Sequence, residues 1–273
     1  MLTRPIALVV ALTVLPAGLF TNFSSSEPEA WEYWEYNNAE NTQAIDHSAW
    51  DSILQEYIKP DGNGLNLFAY GSVTDADKAA LKAYIASLTE IEITERAKPV
   101  QLAYWLNLYN ALTIDVVLDH YPVASIRDIR LGGLLSRGPW DGDLVEVEEE
   151  PMSLNAIEHE ILRPIWKDPR LHYGINCASI GCPNLHDEAF TGENVDALLD
   201  VLAKEYLSHP RGLTIEDDSV VVSSIFEWFA YDFGNSEEGV ITHISQYITP
   251  ERQSELAAIG EIAKTEYDWA LNE

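Results

Sequence analysis

Cysteine is scarce in this chain of 273 residues, which contains only Cys177 and Cys182. Two cysteines allow a reactive thiol, a disulfide between the pair, or a buried pair of reduced side chains. A disulfide persists in an exported protein, whereas a thiol nucleophile requires a reduced Cys177. The redox state of this pair therefore decides whether the sequence predicts an enzyme.

Positive charge is also in short supply. The chain has 16 lysine and arginine residues against 45 aspartate and glutamate residues, and its formal net charge is -29. A protein this acidic repels phosphate backbones, so nucleic acid is excluded as a favourable partner. The surplus carboxylates are expected to form a solvated surface that keeps an exported protein soluble.

A third absence is an apolar run long enough for a membrane span, which needs about 20 residues. The run from Ile6 to Phe20 follows Arg4 and is interrupted by a threonine, a proline and a glycine. A charged start, a short apolar centre and small residues near Ser26 are typical of a secretory signal peptide, here residues 1–26. We therefore predict a periplasmic or secreted protein. An uncleaved N-terminal anchor is the alternative, and only this anchor would attach the protein to a membrane.

No metal site and no cofactor are predicted. The chain lacks a His-Glu-x-x-His run, and Glu158-His159-Glu160 cannot direct three ligands at one ion from a single helix. The loop at residues 60–64 begins like a calcium loop, but Ser72 occupies the position of the last carboxylate ligand. We therefore reject calcium there.

The mature chain is expected to have two parts. Residues 27–44 alternate acidic and aromatic side chains and form an N-terminal extension that either docks on the body or stays mobile. Residues 45–273 form one domain. In this domain, helical spacing marks residues 46–58, 74–88, 99–121, 153–165, 194–207, 225–233 and 240–248. Extended segments are predicted at residues 65–70, 144–148 and 171–175, with a hairpin at 213–222.

This mixture predicts an α+β fold, a single helix-rich domain around a small mixed or antiparallel sheet. The segment 99–121 is apolar on nearly all sides, as a long buried central helix should be. Asn107 and Asn110 lie within it, and buried amides must find hydrogen-bond partners. Either they hold the backbone of a neighbouring loop, or one of them orients a catalytic imidazole.

The two cysteines lie in an octapeptide rich in turn-forming residues, Asn176 to Pro183, directly after the predicted strand 171–175. Such a turn can expose Cys177 as a nucleophile. If a helix begins at Ala178 or the next residue, its amides could lower the thiol pKa or hold an oxyanion. A Cys177–Cys182 disulfide across the same short loop is the alternative.

A thiol nucleophile needs a base, and His159 is the first candidate. The predicted helix 153–165 places Glu158 on an apolar face with His159 beside it. A carboxylate on such a face is either paired, most simply with an arginine, or functional. His172, on the predicted strand before Cys177, is the second candidate.

Arginine is concentrated next to these motifs. Five of the nine arginines fall in one segment: Arg127, Arg130, Arg137, Arg163 and Arg170. In so acidic a chain this cluster predicts either structural ion pairs or a cleft that binds a carboxylate ligand. Arg170 is the proposed ligand-binding residue of this cluster.

Taken together, these segments resemble a bacterial family, the proteins with domain of unknown function 547 (DUF547). The matching segments are AYWLNLYNAL at residues 103–112, Leu154 to His159, DPRLHY at 168–173, NCASIGCP at 176–183 and YDWALN at 267–272. They follow the order of the family from about residue 45 to the end. The resemblance implies an exported or envelope-associated domain without a settled activity. Its Asn, Glu, His and Cys motif residues imply cysteine chemistry similar to that of papain-like or transglutaminase-like enzymes.

The sequence and the resemblance lead to one functional hypothesis and one alternative. The hypothesis is a thiol-dependent hydrolase or acyl transferase with Cys177 as nucleophile, His159 as base, and Glu158 or Asn110 as the orienting residue. The candidate binding residues are Asn107, Arg170, His172, Asn176 and Cys182. The expected substrate is a peptide or a molecule that carries a carboxylate. The alternative is a non-catalytic envelope protein with a Cys177–Cys182 disulfide.

Overall fold

The computed structural model describes residues 23–131, 138–216 and 218–273. Most of the predicted signal peptide, residues 1–22, lies outside the described residues, and so does Arg137. The helices are α1 (Ser48–Tyr57), α2 (Asp75–Thr89), α3 (Lys98–His120), a π-helix (Ala156–Leu162), α4 (Arg163–Trp166), α5 (Leu171–Gly174), α6 (Val195–Ser208), α7 (Ile225–Trp228), α8 (Glu237–Ser245) and α9 (Pro250–Ile259). Short 3₁₀ turns lie at Glu32–Glu35, Tyr70–Ser72, Ile93–Glu95, Ile126–Asp128 and Ala230–Phe233.

The strands are short and form three small sheets within the described residues. They are β1 (Ile58–Pro60), β2 (Asn66–Phe68), β3 (Val145–Val147), β4 (Glu150–Met152), β5 (Leu213–Glu216), β6 (Ser219–Ser223) and β7 (Lys264–Glu266). β1 pairs with β2 and β3 with β4, both antiparallel, while β5, β6 and β7 form a mixed sheet in which β6 and β7 are parallel. The α+β class is confirmed, and so is the hairpin predicted at residues 213–222.

The long helix α3 forms the centre of the core. Its side chains are buried on all sides of the helix from Val100 to Leu118, apart from the half-buried Asp115. Lys82 on α2 forms an ion pair with Asp115, with 2.8 Å between its Nζ and Oδ2. The structure therefore confirms a buried central helix. The ion pair with Lys82 compensates the charge of Asp115, the half-buried carboxylate in this helix. Among the described residues, none of the helices combines the length and apolar character needed to cross a bilayer.

Side-chain hydroxyls cap two of the helices. The Thr74 hydroxyl accepts a hydrogen bond from the amide of Asp77 at the start of α2, at 3.1 Å. The Ser153 hydroxyl accepts one from the amide of Ala156 at the start of the π-helix, at 3.0 Å. Each cap satisfies a helix donor that would otherwise have no partner, which is typically worth about 1 kcal/mol.

The N-terminal extension docks on the body. Trp34 is buried, with its ring edge-on to that of Trp105 of α3 at a centroid distance of 5.1 Å. The amide of Trp31 donates to the carbonyl of Glu160 in the π-helix at 2.9 Å, and Gln101 donates to the carbonyl of Tyr36 at 2.8 Å. Of the two expected arrangements, docked or mobile, the docked one is therefore observed.

Docking begins before the expected cleavage point. Phe23 is buried, and the Ser25 hydroxyl accepts a hydrogen bond from the amide of Tyr231 at 2.8 Å. The amide of Ser25 also donates to Asn235 Oδ1 at 2.8 Å. These contacts are made by residues on the N-terminal side of the expected cleavage point near Ser26.

Two predicted elements near the cysteines take a different form. The predicted strand 171–175 is the one-turn helix α5, which begins after a turn closed by the Asp168 side chain accepting from the Arg170 amide at 2.9 Å. This segment is buried on all sides, so its apolar pattern could not distinguish a strand from a helix. The predicted α-helix 153–165 is wound as a π-helix over most of its length. π-helical turns are rare and frequently occur at functional sites.

Candidate active site around Cys177

A cavity of about 220 Å³ brings five of the predicted site residues together. Its lining includes Glu158, His159, His172, Cys177 and Cys182. Four other predicted residues, Asn107, Asn110, Arg170 and Asn176, do not line it. The cavity therefore separates the residues that could meet a ligand from those that act elsewhere in the structure.

Asn110 holds the backbone that leads to Cys177. Its side-chain amide donates to the carbonyl of Gly174 at 2.9 Å, and its oxygen accepts from the amide of Asn176 at 2.8 Å. The Asn176 side chain in turn accepts from the amide of Ala178 at 2.6 Å. Both ends of the Asn110 side chain are thus occupied by backbone groups. Of the two roles expected for Asn110, the structure shows the contacts of the first, holding the backbone of a loop, and none with an imidazole among the described residues.

Asn107 has the same role and lies about one helical turn earlier on α3. Its amide donates to the carbonyl of Phe190 at 2.8 Å, and its oxygen accepts from the amide of Phe190 at 3.0 Å. These two bonds tie the loop before α6 to the central helix. They give a structural reason for a buried asparagine at this position, outside the cavity.

The two cysteine sulfur atoms are in contact. They lie 2.8 Å apart as free thiols, and the Cys177 amide donates to the Cys182 sulfur at 3.0 Å. The Cys177 sulfur also contacts the Tyr267 hydroxyl at 2.7 Å and the Ser179 hydroxyl at 3.4 Å. The Cys177 sulfur therefore has three neighbouring groups that can donate a hydrogen bond to a thiolate.

These contacts set the ionisation of the pair. Burial alone would raise the pKa of the Cys177 thiol, but hydrogen bonds from Cys182, Ser179 and Tyr267 outweigh it and hold the pKa below its ordinary value. The pKa of Cys182 is raised well above the ordinary value, first by burial and then by its neighbour Cys177. Because the pair shares one negative charge at most, the thiolate belongs to Cys177.

The C-terminal segment holds the cysteine loop in place. The amide of Ile180 donates to the carbonyl of Ala270, and that of Gly181 donates to the carbonyl of Asp268, both at 2.8 Å. A Cβ at Gly181 would lie only 2.8 Å from the nitrogen of Asp268, so the close approach requires glycine. This pairing brings the Tyr267 hydroxyl onto the Cys177 sulfur.

Four of the amides that follow Cys177 already have hydrogen-bond acceptors within the protein. No helix begins at Ala178 or Ser179; Ala178 adopts a left-handed φ of 52°. The amides of Ala178, Ile180, Gly181 and Cys182 all donate within the loop or to the C-terminal segment. The expectation that amides after Cys177 bind an oxyanion is therefore not met by these four.

Glu158 lies in the π-helix and is 5% exposed. The Tyr109 hydroxyl donates to its Oε2 at 3.2 Å, while Oε1 has no hydrogen-bond partner among the described residues. The Nδ1 atoms of His159 and His172 lie 3.8 and 4.0 Å from Oε1, beyond normal hydrogen-bond distance. The expected structural ion pair is formed by none of the arginines that the structure describes.

His172 is oriented by a residue that the sequence did not reveal. Its Nε2 lies 2.7 Å from Oδ2 of Asp232, and its ring stacks on that of Phe229 at 4.3 Å. Burial would raise the pKa of Asp232, but hydrogen bonds with His172 and Arg163 hold it below the ordinary value. Asp232 lies 60 residues away in sequence, in an aromatic segment without a recognisable motif.

His159 has a different environment. Its side chain is 36% exposed, and its Nδ1 lies 3.1 Å from Nη1 of Arg163, whose Nε is 2.6 Å from Asp232 Oδ2. An arginine can only donate, so Nδ1 must accept and the neutral ring carries its proton on Nε2. In this tautomer His159 is a hydrogen-bond donor towards anything that contacts Nε2.

Arg170 lies outside the cavity and is fully engaged. It forms ion pairs with Asp168, Asp196 and Asp200 at 2.7, 2.7 and 2.8 Å. No N–H group is left for a carboxylate ligand, so the structure argues against Arg170 as a ligand-binding residue. Of the same arginine cluster, Arg127 lies over the ring of Trp269, 5.1 Å from its centroid.

Aromatic side chains form the rest of the wall. The sheet explains their convergence, because the parallel strands β6 and β7 end at the same edge and lead into α7 and the C-terminal segment. Trp228 stacks on Trp269 at 5.6 Å and packs against Tyr267 at 4.9 Å, and Trp140 meets Trp269 edge-on at 5.8 Å. The sequence indicated the YDW segment as a matching motif but gave these rings no role in a site.

Within residues 23–131, 138–216 and 218–273, no group of three or more His, Cys, Asp or Glu side chains could hold a metal ion. The arrangement is thus a reduced cysteine pair, a His172–Asp232 pair, a second histidine and a buried carboxylate around a small aromatic cavity.

Residues 93–207 match the family described as "Protein of unknown function, DUF547". The chain is therefore a DUF547 domain-containing protein, as the sequence motifs indicated. The matched segment contains the two cysteines, Glu158 and both histidines of the cavity, whereas Asp232 and the C-terminal rings lie after it. No curated protein and no solved structure matches the chain.

Proposed function

We propose that this protein is a thiol-dependent hydrolase or acyl transferase with Cys177 as its nucleophile. The observation that carries the proposal is the environment of the Cys177 sulfur. Three groups that can donate hydrogen bonds surround it, and its pKa lies below the ordinary value, beside a cavity that two histidines also line. A thiolate held ready for attack in this way is the main requirement for covalent cysteine catalysis.

His172 is the best-placed proton carrier. Asp232 fixes the Nε2 atom of the ring at 2.7 Å, which orients the ring, as the third member of a nucleophile–base–orienter set does. The other ring nitrogen, Nδ1, lies on the side of Glu158, 4.0 Å from its Oε1. This arrangement supports His172 as base in preference to His159, whose Nδ1 accepts from Arg163.

The reaction then has two steps. The Cys177 thiolate attacks an acyl carbon, the carbon–sulfur bond forms, and the bond to the leaving group breaks as His172 donates a proton to it. Water or another acceptor then attacks the thioester, returns a proton to His172, and the thiolate leaves. The donors around the sulfur favour this departure because they stabilise the thiolate.

The test is alkylation of the reduced protein with iodoacetamide over a range of pH, followed by mass spectrometry. We expect rapid modification of Cys177 with a midpoint below that of a model thiol, and none in Cys177→Ser. Cys182→Ser keeps a hydroxyl donor and should still be labelled at Cys177. Labelling no faster than a model thiol, or labelling at Cys182 instead, would refute the proposal.

The contact between the sulfur atoms supports one alternative, a non-catalytic envelope protein with a Cys177–Cys182 disulfide. A separation of 2.8 Å requires only a small movement for a bond to form. Counting free thiols on protein isolated without reductant from its own compartment separates the two functions. A quantitative disulfide would favour the alternative.

Export is part of the proposal. It is supported by the charged start, the short apolar segment and the small residues that precede the docked extension. N-terminal sequencing of protein from the extracytoplasmic fraction tests it. We expect the mature chain to begin at or before Phe23, because that residue is buried in the body. Recovery of the full-length chain only in the cytoplasm would contradict export.

A further inference from the structure

The unpartnered oxygen of Glu158 gives a clue to the ligand. We propose that the cavity binds a primary ammonium group, with Glu158 as its counter-ion, and that this amine is the acyl acceptor. Its role as acceptor rests on the proposed function, whereas binding of the amine does not. The proposal distinguishes an amine-accepting acyl transferase from a simple hydrolase.

Glu158 has the properties of a carboxylate that awaits a cation. Among the described residues, its buried Oε1 has no hydrogen-bond partner, and its Oε2 accepts from the Tyr109 hydroxyl. A buried carboxylate oxygen is costly unless it is paired or hydrogen-bonded. An ammonium group carries three donors on a compact charge, and in the cavity that Glu158 lines it would neutralise the carboxylate.

The protein itself does not supply this cation among its described residues. Arg163 is held by Asp232 and His159, and Arg170 by three aspartates outside the cavity. The two imidazoles near Glu158 have their nearest partners elsewhere, His172 at Asp232 and His159 at Arg163, and their Nδ1 atoms remain 4.0 and 3.8 Å from Oε1. Within the described residues, a bound cation therefore has no competitor at hydrogen-bond distance from Oε1.

The walls of the cavity suit the same ligand. Trp228, Trp269 and Tyr267 line it, and the faces of such rings attract an ammonium group. Trp228 is 41% exposed, which places it at the entrance. The net charge of -29 also raises the local concentration of cations near the protein.

The size of the cavity restricts the ligand further. A volume of about 220 Å³ lies below the roughly 300–1,000 Å³ of pockets that hold a whole drug-sized molecule. The cavity can therefore hold one side-chain-sized group, such as an aliphatic amine or the end of a lysine side chain. The remainder of the acceptor would lie outside.

The transfer step balances without a further reactant. The bound ammonium first gives one proton to the neutral His172, and the free amine attacks the thioester carbon on Cys177. A carbon–nitrogen bond forms, the carbon–sulfur bond breaks, and the electron pair of that bond returns to the sulfur. The second proton of the nitrogen leaves to solvent, so the products are an amide and the Cys177 thiolate.

Binding is tested in Cys177→Ala, which has no nucleophile. We expect n-butylamine to raise the melting temperature of this variant saturably, and 1-butanol and butyrate at the same concentrations to leave it unchanged. Adding Glu158→Gln should abolish the effect. Adding Glu160→Gln, an exposed carboxylate two residues further on the same π-helix, should preserve it.

Two results would overturn the amine site. One is equal stabilisation by butylamine and butanol; the other is an equal loss in the Glu158→Gln and Glu160→Gln proteins, which would indicate a surface charge effect. If Glu158→Gln does not fold, Trp228→Ala replaces it, because removal of this partly exposed ring should weaken amine binding at least threefold. Unchanged binding in that variant would count against the site.

A second measurement separates this inference from the proposed function. Protein with Cys177 is treated with p-nitrophenyl acetate, and the fate of the acetyl group is followed with and without n-butylamine. Because butylamine also attacks this ester without an enzyme, only formation of N-butylacetamide in excess of that found with the Cys177→Ala protein supports both proposals. Hydrolysis unaffected by a saturating amine supports the thiol enzyme and refutes the acceptor role, whereas amine binding without acetylation of Cys177 refutes the thiol enzyme alone.

Discussion

Two polar clusters lie at the two ends of α5, and they differ in how completely their charges are matched. At its start, Arg170 is enclosed by three aspartates, and each guanidinium nitrogen has an acceptor. Beyond its end, Cys177 faces a cavity in which a carboxylate oxygen has no partner. The first cluster is complete without a ligand, and the second is not. Unmatched polar groups, more than the number of charges, therefore indicate where this protein can act on another molecule.

The largest expected difference between the clusters concerns Asp232, which bonds to His172 at the cavity. Asp232→Asn removes the charge that orients the His172 ring, and loss of general acid–base assistance typically lowers turnover about 10²-fold or more. Hydrolysis of p-nitrophenyl acetate by the purified variant checks this. Asp200→Asn in the Arg170 cluster is the matched control and should keep normal turnover. Equal losses in both variants would show that the two clusters do not differ in function.

Arg170→Ala tests the other side of the comparison. It removes charged hydrogen bonds to three carboxylates at once, and since bonds to charged groups contribute about 1.5–3 kcal/mol each before solvent exposure is considered, we expect a net loss of about 2 kcal/mol. Urea unfolding measures the free energy of unfolding. Alkylation of Cys177 under native conditions should keep its rate, and a loss of that reactivity without a loss of stability would assign Arg170 to the site.

Tyr267→Phe should have the smallest effect. It removes one donor from the Cys177 thiolate, so the pKa of that thiol should rise, and alkylation near neutral pH should slow about tenfold. The sign follows from the thiolate being the form that the hydroxyl stabilises. Alkylation rates between about pH 5 and 10 measure the shift, and Tyr33→Phe, whose hydroxyl contacts Glu148 instead, is the control. An unchanged midpoint would remove Tyr267 from the thiolate environment.

Elements with strong periodicity were predictable from the sequence. Helix α3, the β5–β6 hairpin and the Thr74 and Ser153 caps follow from local patterns, because apolar spacing and capping side chains act over a few residues. The segment before Cys177 was not predictable in this way. It is buried on every side, so neither the helical spacing of apolar residues nor the alternation of a strand is visible. A one-turn helix is also too short to give a recognisable pattern.

The site shows the same division. The motifs indicated Glu158, both histidines and both cysteines, and the structure places all five around one cavity. The roles of these residues depended on contacts that no local pattern contains. Asp232 reaches His172 across 60 residues, and Tyr267 reaches Cys177 across 90.

The sequence by itself determined the α+β class, the buried central helix and the family motifs. It also identified the two cysteines as the main candidates for a functional site. Each of these depends on composition or on spacing along the chain. Only the tertiary structure decided that Asn110 supports a loop and that Arg170 is already paired. It also decided that Oε1 of Glu158 has no hydrogen-bond partner among the described residues. Hydrogen-bond satisfaction is a property of groups brought together from distant segments, and it is known only when their packing is known.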